Sequence, residues 1–113
     1  MKYMLLIRPD VDFDGPVPPD MLAATEAWVR EMTERGVRLH GDAIRPADEG
    51  TGVSRRQGKV ITTDGPYAEA KEQMGGYDMI ECRDLDEAIE IASKHPVAQI
   101  GMVEIRPVWD LTQ

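Results

Sequence analysis

The sequence predicts an α+β fold, and two observations carry that reading. Short apolar runs bounded by turn residues alternate with two amphipathic helical stretches, in the order β-α-β-β-β-α-β. Setting one strand aside as a hairpin extension leaves βαββαβ, the split, ferredoxin-like arrangement, with two helices on one face of an antiparallel sheet. A length of 113 residues allows a single domain, 1–113.

Residues 2–8 form a short apolar run that stops at Pro9, as expected of a strand buried on both faces. Residues 9–19 hold four prolines and read as a loop. The first helix is expected over 19–35. Proline suits its first turn, Asp20 favours the start of its dipole, and Gly36 is the C-terminal stop. Met21, Thr25, Trp28 and Met32, with Leu22 and Val29 beside them, make one apolar stripe. Residues 37–44 read as a second strand, with Val37, Leu39 and Gly41 on one side and Arg38, His40 and Asp42 on the other. Residues 45–58 suggest an exposed connection or hairpin, 59–63 a third strand, and Asp64 with Gly65 and Pro66 a turn. A fourth strand over 77–82 precedes the clearest local signal, a capping box with Asp84 as N-cap and Glu87 at N3. Leu85, Ala88, Ile89 and Ala92 face inward on this second helix, Lys94 and His95 suit its dipole, and Pro96 closes it. A last strand runs over 101–109.

The first and fourth strands carry apolar residues on both faces, Met4 and Leu6 opposite Leu5 and Ile7, Tyr77 and Met79 opposite Ile80 and Cys82. Two helices cover only one face. The expected solution is a homodimer in which two sheets face each other; the alternative is that segments 9–19 and 45–58 fold over the second face.

Composition narrows function by exclusion. Lys plus Arg number 13 against 21 Asp plus Glu, so the formal charge is −8, which argues against nucleic acid as a partner. The longest apolar run, 4–7, cannot span a bilayer, and the opening residues show no secretory signal, so a cytoplasmic location without membrane attachment is expected. One cysteine excludes an internal disulfide framework, and two distant histidines make no metal site, so neither metal nor cofactor is expected.

The candidate chemistry clusters at one bend. Asp64, Glu69, Lys71 and Glu72 follow a sharp turn and precede Gly75 and Gly76. Read functionally, they form a pocket loop in which carboxylates move protons and Lys71 holds an anion; read structurally, Asp64 braces the turn and Lys71 pairs with a carboxylate. His40 and Asp42 share a strand face, as a catalytic pair or as its solvated side. His95 is either a general acid or base at the mouth of a cleft or a compensating cation at a helix end. Arg8, Glu104 and Arg106 on the outer strands form ion pairs or line the space between two sheets as ligand contacts.

The run DGPYAEAKEQMGGY over 64–77 resembles the signature of the YCII-related superfamily, DGPF subgroup. Tyr67 and Met74 stand where that pattern has Phe and Leu, and both keep an apolar body. The opening strand, the second helix and the closing strand are similar too. The resemblance implies a dimeric α/β-barrel of ferredoxin-like subunits. It also implies a link to sigma factors of the extracytoplasmic-function class, beside or fused to which such proteins are often encoded. A related branch includes a dehydrochlorinase with a histidine on its first helix; helix 19–35 has none, so that assignment does not transfer. Two readings follow. One is a small-molecule binder or cofactor-free enzyme, abstracting a proton with elimination or rearrangement, with a pocket between the sheet and the 64–72 loop. The other is a non-catalytic regulatory or sensory module.

Overall fold

The computed structural model describes residues 1–10, 16–65 and 74–112. These form β1 (Lys2–Pro9), α1 (Pro19–Glu34), β2 (Arg38–Ala43), a 3-10 turn (Ala47–Glu49), β3 (Thr51–Arg56), β4 (Lys59–Asp64), β5 (Gly76–Glu81), α2 (Leu85–Ser93), α3 (Val97–Ile100) and β6 (Gly101–Pro107). The main sheet has the order β2-β5-β1-β6, and every neighbouring pair is antiparallel. With β3 and β4 set aside, this is the strand order of the ferredoxin-like βαββαβ fold expected above.

Helix ends follow local chemistry. Pro19 opens α1, where its missing N–H costs nothing. At its other end Gly36 takes φ +75°, its N–H donates to the Thr33 carbonyl, and the Val37 N–H reaches the Met32 carbonyl. That pair of bonds satisfies carbonyls the helix would otherwise leave open. Asp84 caps α2 by accepting the Glu87 N–H at 2.9 Å, and the Glu87 carboxylate accepts the Arg83 N–H at 2.9 Å, one residue ahead of the cap.

Tyr3, Leu5 and Ile7 on β1 and Ile80 on β5 pack against Trp28 and Met32 of α1 and Ala88, Ile91 and Ala92 of α2. The Trp28 indole N–H donates to the Ile91 carbonyl at 3.0 Å and ties the helices together. On the opposite sheet face, Met4, Leu6, Tyr77 and Met79 stay half-buried.

Two elements differ from expectation, and a third decides between alternatives. Of the two expectations for 45–58 the hairpin holds, with a strand over 51–56 that pairs with β4 as a separate two-stranded ribbon. Its sequence has no apolar run; it is organised by a two-residue turn in which Gln57 (φ 51°) and Gly58 (φ 79°) both take positive φ. α2 ends at Ser93, ahead of Pro96 as expected, but Pro96 then caps an unexpected short helix, α3, because proline fits the start of a helix. The simple alternation along β2 also fails. A register shift between Arg38 and His40 returns Arg38 to the helix-covered side, the same side as Gly41.

Candidate functional site

Asp78 shares strand parity with Ile80, so the pleat turns its carboxylate toward the helices. It is only 6% exposed. The Arg38 Nε, brought to that side by the bulge, donates to Asp78 Oδ1 at 2.8 Å. Gly41 makes the approach possible: a side chain there would collide with the Asp78 carboxylate and lie 2.9 Å from the Arg38 guanidinium. Burial raises the Asp78 pKa above the usual carboxylate value, and the Arg38 hydrogen bond and charge only partly oppose it. The result is a carboxylate held in place and more basic than a surface aspartate.

His95 lies just beyond α2 and is 3% exposed. Its ring meets Trp28 edge-to-face, centroids 4.7 Å apart. Burial lowers its pKa to about 4, so the ring is neutral at physiological pH. Its Nδ1 accepts the Val97 N–H at 3.0 Å, which assigns the remaining proton to Nε2. The ring is thus a hydrogen-bond donor through Nε2, with no hydrogen-bond partner for that atom among the described residues. It is not the dipole-compensating cation that its sequence position suggested: its ring packs against Trp28, out of water, and stays neutral. Nor is it arranged as a base, since one nitrogen carries the proton and the other is occupied.

Arg38, Asp78 and His95 line one cleft of about 1190 Å³. Its walls are largely apolar, including Ile7, Met21, Leu22, Val29, Met74 and Val97. A predominantly apolar cavity with few polar groups is the usual form of a small-molecule site.

The YCII-related domain model matches residues 1–112. The chain belongs to the YCII-related family. An uncharacterised protein of Rhizobium meliloti (strain 1021) is 32% identical over 103 residues, spanning 76% of this chain and 83% of its own length.

Within this YCII-related fold the residues expected from sequence fall into separate groups. His40 and Asp42 share a strand face, as expected: they pair with Met79 and Tyr77 on the sheet face away from the helices, where the His40 ring meets Tyr77 edge-to-face at 5.9 Å, and of the two Asp42 also borders the cleft. Arg8 donates to Glu104 at 3.1 Å, and Arg106 pairs with Glu104 as well; Glu104 and Arg106 are on the edge strand β6, but Arg8, expected on an outer strand, is on the central strand β1. Asp64 ends β4, exposed, on the ribbon. The four residues Asp64, His40, His95 and Arg106 therefore do not share the cleft. Glu69, Lys71 and Glu72, with the rest of 66–73, lie outside the described residues; the segment re-emerges at Met74, Gly75 and Gly76, all of which border the cleft.

Arg38 and Asp78 were missed. Asp78 had a readable signal, a charged residue on the same parity as Ile80 and Cys82 in an apolar strand, where burial demands a partner. Arg38 had none, because its placement depends on the bulge.

Proposed function

We propose that this YCII-related protein binds a small molecule in the cleft and moves a proton there without a cofactor. Asp78 accepts the proton, Arg38 keeps its carboxylate oriented, and the neutral His95 donates from Nε2 to the oxygen on which negative charge develops. Elimination or rearrangement next to a carbonyl is the reaction class that needs these parts. The observation that supports it best is the pairing, along one cleft, of a buried carboxylate with raised pKa and a neutral imidazole donor.

The test is deuterium exchange at the acidic carbon of ketones bound by the chain. Asp78→Asn is expected to slow exchange by about a hundredfold or more while ligand affinity changes little. Equal rates in both proteins would remove Asp78 from the role of base.

A regulatory reading draws on a different feature. The β3–β4 ribbon exposes Val53 (70%) and Val60 (60%), and a two-stranded ribbon alone is marginal in water. A protein partner seated on it, such as the sigma factor implied by the sequence resemblance, would supply the missing cover.

A further inference from the structure

We infer that the cleft takes an uncharged, mostly apolar molecule carrying one carbonyl-type oxygen, an inference that rests on the small-molecule reading above. The interior polar groups set the first requirement. His95 presents an N–H through Nε2, and the Arg38 guanidinium has further N–H groups beyond the one given to Asp78. Two donors in an apolar wall call for an acceptor oxygen, and leaving them unmatched on desolvation is costly. An ammonium group is drawn toward the cleft's carboxylates but brings only donors, so it leaves both of these unmatched.

The rim sets the second requirement. Among the described lining residues, two guanidiniums, Arg38 and Arg45, are outnumbered by four carboxylates, Asp42, Asp48, Glu49 and Asp78. Arg38 is taken by Asp78, and Arg45 by Glu49 at 3.1 Å. Asp48 remains exposed along the rim, and Asp42, exposed on the neighbouring sheet face at the cleft border, adds a charge near enough to act on Asp78; neither has an ion-pair partner among the described residues. On a chain with formal charge −8, this mouth repels anions. A carboxylate ligand would satisfy the donors but meet the wrong field; a neutral carbonyl satisfies both.

Three probes with one apolar body separate these cases: acetophenone, benzoate and benzylamine, titrated into the full chain at neutral pH. Binding is read from the His95 imidazole nitrogens, the Gly41 and Asp78 amides, and Trp28 fluorescence in a Trp109→Phe background. Acetophenone is expected to shift all of these and to bind about tenfold more tightly than either charged probe. Benzoate binding should strengthen as salt screens the mouth. His95→Asn, which keeps an acceptor for the Val97 N–H but moves the donor, should weaken acetophenone by about tenfold. The wild-type titration ranks the probes whether or not that variant folds. If benzoate or benzylamine binds at the same resonances as tightly as acetophenone, the ligand class is overturned and the cleft stands. If no probe reaches those resonances, the ligand class and the small-molecule reading both fall.

Discussion

His95 shows how one buried side chain links folding to pH. Its folded pKa, about 4, lies below the ordinary histidine value of 6.5. The fold favours the neutral ring, so the resulting stability is complete above about pH 6.5 and is lost as pH falls through about 4. The contribution is on the order of 3 kcal/mol, because the ring is almost fully buried. Asp78 runs the other way: with its pKa raised, protonation at low pH restores stability that its buried charge costs at neutral pH. Comparing wild type with His95→Asn isolates the histidine, since both retain Asp78. Urea unfolding from pH 7 to pH 4 is expected to show a falling stability in wild type and a much flatter profile in the variant. Parallel profiles would mean that the folded ring takes up a proton as readily as the unfolded one. Asp78 was readable from strand parity, yet Arg38 was not, because a single bulged residue reverses which way its neighbours point.

At the level of elements, short-range chemistry decided the helix ends. Asp84→Ala removes the acceptor for the Glu87 N–H and is expected to cost about 1 kcal/mol, measured as a shift of the urea midpoint at constant slope. No shift would mean that the Glu87 contact to Arg83 holds α2 alone. The pairing of the helices is reinforced at the surface, where Arg35 grips Glu90 through two nitrogens at 2.7 and 3.0 Å and Lys94 bridges to Glu31 at 3.0 Å. The Arg35 hydrogen bond, with help from Lys94, pulls the Glu90 pKa down to about 2. These groups are largely solvated, so they orient the helix pair more than they stabilise it. The elements hardest to read were β3 and α3. β3 is polar and held by its turn; α3 begins at a proline that sequence rules treat equally well as a stop.

For the whole molecule, the question is what meets the second sheet face. No helix is long and apolar enough among the described residues to cross a membrane. Met4, Leu6, Tyr77 and Met79 form a half-buried apolar face that α1 and α2 do not touch. We propose that a second copy covers it, sheet to sheet. Sedimentation at micromolar concentration should then give twice the 12.6 kDa chain mass, and Leu6→Asp should return the single-chain value with the fold intact. A wild-type particle of 12.6 kDa would defeat this proposal. The His40–Tyr77 pair and the Arg8, Glu104 and Arg106 cluster lie on this same face, which makes them interface groups on this account; of these, Tyr77 also borders the cleft.

The amino-acid order alone determined the α+β class, the βαββαβ core and the caps of both long helices, because hydrophobic period and capping act over a few residues. It also settled which strands are apolar on both faces. Only the tertiary structure decided which polar residues meet. Asp78, Arg38 and His95 come from three distant segments, and their cleft exists because the sheet order places β5 between β1 and β2 while His95 packs inward against Trp28. Such convergence is a property of strand pairing and of one bulge, and neither leaves a local mark in the chain.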